Sequence, residues 1–496
     1  MIGYVRKDNT PEVSHVAYNL NAFSSIDAYH DEEKLNPKIG CYGYNIAVKG
    51  GNLTGTIGAG TPTYQVGGKS VTLPSLVPQG EYVLKMHHFR CSGLGMGEDK
   101  IIVHSHLGNF YYADLLRHSE FKPLEGASQG VSDVTFLNYF SLGRDVLLVY
   151  HSKGLTTYDG ENTSNYESCP KMTDVTMLYE RAFGIEPSTD TLHFSAPLNP
   201  TDFSLDMGGG SITIRDDGGK MQRVIAMGNA IYIFKEYAVY RLSVYGSPED
   251  YTLTKVVDTH SEILGKTIAL SPSGILLMMD KVLYLFDGYK LKVLERGIFA
   301  LMESTEHAVG KYFDENYYLA CSLVKDDEKV GDEEDFGITY NNGIIHYNPE
   351  TKGQGVMRGA DIVGFYPVLT SEVKEIFVLY GNDRAHRAGK LTSDGALYGV
   401  PLKKKWRSPR YNFLDVQHFK ILKRAQVDTA YDLNLTVTQG ATKVKRRVYG
   451  YGRLSRPEVV PFNTSGYDFY LEIEAEGDLN VRGIKLSFDF VRRYFT

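Results

Sequence analysis

The stretch 177–288 constrains this chain most, because it is written as consecutive short hairpins, none of them large enough to fold alone. Ile231 and Ile233 alternate with Tyr232 and Phe234, and strand-like runs flank Lys235-Glu236, a pattern that predicts an antiparallel hairpin. Leu276 to Met279 and Val282 to Phe286 repeat the plan around Asp280-Lys281, and Asp287-Gly288 supplies the next turn. Two-stranded ribbons are marginal in water, so several must share a core.

The same layout occurs upstream. Ile101 to His104 and Leu147 to Tyr150 each precede a glycine-containing turn, followed by Phe110 to Tyr112 or Leu155 to Tyr158. The resulting units lie about 40 to 75 residues apart, the scale of propeller blades. Fifty glycines and 36 tyrosines against a single tryptophan, in 496 residues, are the composition of an all-β protein with frequent turns. The expected fold class is therefore all-β, with a β-propeller-like domain and a C-terminal β-sandwich. The expected segments are an N-terminal arm with lead-in strands over 1–80, the propeller-like domain over 81–400, and the sandwich over 401–496. In that last segment, alternation is plain at Leu433-Leu435-Val437, Tyr470-Glu472-Glu474 and Ile484-Leu486-Phe488. Residues 1–40 show few periodic apolar positions and read as an extended surface arm.

A formal net charge of −7 demands neither a nucleic-acid nor a membrane partner. No signal-peptide core opens the chain and no run of about 18 apolar residues follows, so a soluble chain made in the cytoplasm is expected, with no membrane partner. Cys41, Cys91, Cys169 and Cys321 form no C-x-x-C pair and read as buried, reduced thiols.

Several stretches resemble sites but fit plainer readings better. Gly43 to Gly60 is glycine-rich, but no Gly-Lys-Ser/Thr ends it, so it reads as strand and turn and not as a phosphate loop. Lys325 to Gly337 is acidic without the order of a calcium loop, which favours a solvated loop. His87-His88, His104 and His106 suggest zinc at first sight, yet no further ligands are visible, and hydrogen-bonded strand histidines are expected instead. Asp216-Asp217 and Glu333-Glu334-Asp335 are paired carboxylates, but adjacent strand residues point to opposite faces, which disfavours glycosidase chemistry. No nucleophile elbow, zinc-protease helix or nucleotide loop occurs, so neither an active site nor a metal or cofactor is assigned.

The charged feature with functional potential is basic: Lys403, Lys404, Lys405, Arg407 and Arg410, then Lys445, Arg446 and Arg447. Alternation places Lys445 and Arg447 on one strand face and Arg446 on the other. Three readings stay open: a solvated edge that blocks strand pairing, contact with an acidic neighbouring subunit, and contact with the DNA backbone.

A family resemblance rests on Arg181-Ala182-Phe183-Gly184, then on His193 to Pro197 and Asn199 to Ser204, where Phe194-Ser195, Pro197, Pro200 and Phe203 set the pattern. Ile233 to Glu236, Tyr240, Gly265 and Leu285 to Gly288 follow in the same order. Over roughly a quarter of its length, by these strand and turn phrases, the chain resembles the tail-hub or nozzle proteins of tailed bacteriophages. The resemblance implies a structural virion protein that is not an enzyme and that self-associates into a ring, commonly a hexamer. It implies docking on connector or adaptor proteins and other tail proteins, passage of double-stranded DNA during ejection, retention of packaged DNA, and a place in the virion tail. Two alternatives share the fold: a receptor- or glycan-binding propeller, which would show aromatic platforms at loop tips on one face, and a propeller glycosidase, which would converge acidic residues in its central pocket.

Overall fold

The computed structural model describes residues 13–492 except 75–76, 78–79, 94–96, 117–119, 325–340, 360, 382–386, 414, 416–417 and 453–456. The acidic stretch Lys325 to Gly337 thus lies outside the described residues. Strands dominate, the only helical segments among the described residues are short 3-10 turns, and no helix is long and apolar enough to cross a membrane.

Two compact units divide the chain. One comprises Ala59–Ile344 and Gly359–Thr392; the other comprises Met1–Gly58, Ile345–Arg358 and Ser393–Thr496. The expected division into three consecutive segments therefore differs from the observed one. Strand pairing over hundreds of residues, which no local pattern reports, brings the N-terminal residues into the same unit as the C-terminal ones.

The first unit is a β-propeller. Five antiparallel four-stranded sheets follow one another, each an uninterrupted meander, with innermost strands Val83–Phe89, Thr135–Ser141, Asp174–Leu178, Met221–Met227 and Ala269–Ser271. Met302–Phe313 and Ile362–Leu369 begin the sixth and seventh blades among the described residues. Blade-to-blade cohesion is apolar at the junctions that follow. Ile102, Phe110, Leu147 and Val149 join blades 1 and 2; Phe183, Phe194, Ile231 and Ile233 join blades 3 and 4; Phe234, Ile275, Leu277 and Phe286 join blades 4 and 5. The ring closes with a shared strand: Gly58–Gly60, which precedes blade 1 in the chain, joins the sheet of blade 7 beside Arg387–Thr392. Val83, Ile101 and Val103 of blade 1 pack with Val368, Phe377 and Leu379 of blade 7, and the hairpin Thr63–Val66/Lys69–Thr72 adds Tyr64 and Val66. Each fully buried aliphatic or aromatic side chain contributes about 1.5–3 kcal/mol.

Local turn chemistry follows the expectation. Asp280 and Lys281 have φ of 45° and 59°, the left-handed pair that a two-residue hairpin turn needs. Gly154, with φ of 118°, admits no side chain, because a Cβ there would collide with the Tyr166 carbonyl oxygen.

The second unit is a β-sandwich. One of its sheets runs Tyr42–Tyr44, Lys404–Arg407, Tyr470–Ala475, Leu433–Gln439, Thr442–Val448. The other contains Ile46–Lys49, Asn52–Gly55, Asn480–Arg492, His418–Thr429 and Glu458–Gly466. Trp406, Leu435, Ile473, Leu422 and Phe488 are buried in it. The reading of 1–40 as a surface arm is corrected for 13–40, while residues 1–12 lie outside the described residues. Val13–Asn21 pairs antiparallel with Asn480–Arg492, from Val13 opposite Val491 to Asn21 opposite Gly483, and Leu20, Phe23 and Ile26 are buried. The signal is the alternation Val16-Tyr18-Leu20, a run of three apolar positions too short to stand out beside Ala17 and the polar residues around it.

Candidate functional site

The basic residues separate into a buried strand and an exposed edge. Lys404–Arg407 is paired on both sides, with Tyr42–Tyr44 and with Tyr470–Ala475, so an edge role does not apply to it. Lys404 is buried, donates from Nζ to the Leu402 carbonyl at 2.9 Å, and lines a cavity of about 270 Å³ with Asp394 and Asp478. Burial lowers its pKa, and the two carboxylates oppose the shift. Lys403 and Lys405 flank it half-buried, and the Lys403 carbonyl accepts from Asn45 Nδ2 at 2.8 Å. Arg407 donates to Glu32 at 2.7 Å and stacks over Tyr470, while Arg410 lies 3.7 Å from Asp468.

Thr442–Val448, by contrast, is the last strand of its sheet, where cations discourage further pairing. Lys445 bonds Glu474 at 2.7 Å and Arg447 bonds Asp432 at 3.1 Å, whereas Arg446 donates to the Pro461 carbonyl at 3.0 Å and covers Phe462. Lys445, Arg446 and Arg447 therefore lie together on one edge, with much of their charge answered within the chain.

The four histidines do not converge. His87 hydrogen-bonds Asn138 at 3.0 Å, His88 lies 2.9 Å from Asp99, His104 bonds the Val131 carbonyl at 3.1 Å, and His106 stacks on Tyr82. Burial pushes His87 and His104 down to about 4, so both are neutral near pH 7. Among the described residues no group of three or more His, Cys, Asp or Glu is placed to hold a metal. The four cysteines are free and buried. Asp216 and Asp217 diverge: Asp216 accepts from buried Lys235 at 2.6 Å, and Asp217 faces solvent.

Two features were not legible in the sequence. The first is the central cavity of the propeller, about 770 Å³, whose wall includes Lys85, Asn138, Asp174, Arg223, Lys266 and Lys311. These residues come from six blades, so only ring closure brings them together. The cavity has a single carboxylate, Asp174, among its described lining, whereas glycoside hydrolysis uses a pair.

The second is an apolar face. In every blade the turns after the first and third strands emerge on the same side of the ring. Leu142 and Tyr179 in first turns, and Leu198, Leu205, Tyr245 and Tyr289 in third connections, are all exposed there, Tyr245 at 86% and Leu205 at 81%. Tyr179, Arg181, Tyr245 and Tyr251 line a groove of about 430 Å³ on that face. Tyr179 and Glu180 occupy a left-handed two-residue turn, with φ of 49° and 58°, that Asn-Gly would adopt more easily.

The residues of the family resemblance form the frame beneath this face. Arg181 Nη1 donates to the Ser195 carbonyl at 2.8 Å and also to the Gly208 carbonyl, and Ser195 Oγ accepts from the Ala182 N–H at 3.0 Å. Tyr150 and Tyr139 of blade 2 donate to the Pro200 and Leu198 carbonyls at 2.9 and 3.2 Å. The motif thus fixes a long loop of blade 3 onto blade 2.

No protein-family model and no curated protein matches the chain. Among solved structures, it is similar to BBS1N in complex with ARL6DN, in a mercury-soaked and a lead-soaked crystal. The TM-scores are 0.44 and 0.43, with 10% identity, 67% of this chain covered and 97% of that chain covered in both cases.

Proposed function

We propose that this chain is a structural, non-enzymatic subunit of a tailed-phage virion, a tail hub or nozzle protein located in the tail after synthesis in the host cytoplasm. Copies associate into a ring, a hexamer by the family resemblance, dock on connector or adaptor proteins and other tail proteins, pass double-stranded DNA and help retain it.

The observation that carries the assembly part is the apolar face. Large side chains gathered on one side of a ring, several of them at turn tips, are the mark of a surface that is covered in the working state. The motif residues Arg181, Ser195, Pro197 and Pro200 support the same reading, because they build the loop that presents Leu198 and Leu205. The edge strand bearing Lys445, Arg446 and Arg447 offers a second, polar contact for an acidic neighbour, and its exposed cations suit a salt-sensitive one.

The test is size-exclusion chromatography with mass measurement, followed by negative-stain imaging. A closed ring of defined copy number is expected, and Leu142→Asp with Tyr245→Ser should convert it to smaller species while circular dichroism stays unchanged. A monomer that persists at tens of micromolar with phage connector present would overturn the proposal.

A second reading is favoured by the groove at Tyr179 and Tyr245, whose aromatic surfaces at loop tips suit the apolar face of a sugar ring. Binding of host-surface glycans that is lost in Tyr245→Ala, by a protein that remains monomeric, would select that reading.

A further inference from the structure

The central cavity of the propeller gathers more positive charge than the carboxylate of its described wall neutralises. Lys85 and Arg90 come from blade 1, Arg223 from blade 4, Lys266 from the start of blade 5 and Lys311 from blade 6, against Asp174 of blade 3 as the one carboxylate among the described lining residues. Five cations less one carboxylate leave a formal +4 on the lining, in a chain whose net charge is −7. Cations drawn from four blades are not a run in the sequence. The closed ring sets them facing one another across a walled space, where like charges interact more strongly than on an open surface.

Their donors are also underused. Among the described residues neither Lys311 nor Lys266 has a carboxylate at ion-pair distance or a side-chain hydrogen bond, although Asp174 acts on Lys311 from farther off. Asp174 Oδ2 is 3.6 Å from Arg223 Nε but already accepts the Val224 N–H at 2.8 Å, and Arg223 Nε is buried without a hydrogen bond. Lys85 donates to the Val134 carbonyl, which supplies a dipole and no negative charge. Burial, and then the charge of Arg223, push Lys311 down to about 8, with Asp174 opposing the shift, so the cavity wall by itself disfavours this cation.

We propose that the central cavity binds a small multivalent oxyanion, carrying two or more phosphate or carboxylate groups, held chiefly by Lys311 and Arg223 with Lys85 and Lys266. Such a ligand supplies both the missing charge and the missing acceptors, and about 770 Å³ is ample for a triphosphate or a tricarboxylate. The inference is independent of the tail assignment, since it rests on the inner wall of one propeller.

The experiment is isothermal titration of the full chain at low salt with tripolyphosphate, citrate and acetate. Saturable binding of tripolyphosphate or citrate at one equivalent, with none for acetate, is expected. The tighter of the two identifies a phosphate or a polycarboxylate source. Lys311→Ala and Arg223→Gln should each weaken it about ten- to hundredfold, the range for a lost charged hydrogen bond. Lys311→Arg should retain it, and Lys292→Ala, on an outer strand, should leave it unchanged. Should Arg223→Gln fail to fold, Lys266→Ala takes its place beside Lys311→Ala. Absence of saturable binding, or binding undiminished by Lys311→Ala and by the second variant, would overturn the proposal.

Discussion

Replacing Asp216 by Asn strands an ammonium group inside the propeller. Lys235 is fully buried, and its Nζ is held by Asp216 at 2.6 Å and the Ile214 carbonyl at 3.0 Å, with Asp190 more distant at 3.9 Å. Asp216 also accepts from the Tyr240 hydroxyl. Burial acts to raise its pKa, but the hydrogen bonds from Lys235 and Tyr240 outweigh it and leave the carboxyl at about 2. Set against an unfolded value near 4, that displacement corresponds to about 2.5 kcal/mol. Deletion of the charge by Asn goes further, because Lys235 keeps its full desolvation cost, and breaking one side of a buried pair typically costs about 3–5 kcal/mol. At about 2 °C per kcal/mol for a large unit, Asp216→Asn should lower Tm by about 6–10 °C in differential scanning calorimetry. Lys235→Met added to it should recover most of that loss, since the buried charge is then gone. The folded pKa is depressed, so this contribution is present above the unfolded pKa and is lost as pH falls from about 4 through about 2. The Asp216→Asn protein should lack that part of the acid dependence. A single variant as stable as the parent, or a double variant less stable than the single, would refute the argument.

Deleting residues 13–26 removes Leu20, Phe23 and Ile26 from the sandwich, a loss of about 5–9 kcal/mol at 1.5–3 kcal/mol each, and limited proteolysis should then cut within 418–492. Gly154→Ala should destabilise by about 2 kcal/mol or more in urea titration, whereas Gly143→Ala, also at positive φ but with open space around it, should cost about 1 kcal/mol. Lys445→Ala and Arg447→Ala should each shift stability by less than about 1 kcal/mol, because their pairs with Glu474 and Asp432 are exposed, so any larger effect on assembly reports a neighbour.

The all-β class and the hairpins were legible because strand alternation and turn chemistry are local. Val282–Phe286 and its Asp280-Lys281 turn are read directly from neighbouring residues. The membership of the sandwich was not legible, since the partner of Val13–Asn21 is Asn480–Arg492, at the far end of the chain. The cavity was hidden for a related reason: Lys85, Arg223 and Lys311 are unremarkable singly and meet only across a closed ring. Lys404 shows the limit of charge counting. A run of lysines suggests a surface, yet strand alternation turns Lys404 inward beside Trp406, while Lys403 and Lys405 stay half-buried.

The pairing of Val13–Asn21 with Asn480–Arg492 also sets an order of events during synthesis. The first five blades are meanders of neighbouring strands and can close soon after they leave the ribosome. The N-terminal strand must instead wait for about 460 further residues, on the order of 20–90 s at bacterial and eukaryotic elongation rates. Throughout that interval Leu20, Phe23 and Ile26 have no sandwich core to enter. Nascent chains on one messenger therefore hold the same unsatisfied strand at the same time, and a chaperone that shields the first thirty or so residues should raise the yield of folded protein more than one acting on the finished chain.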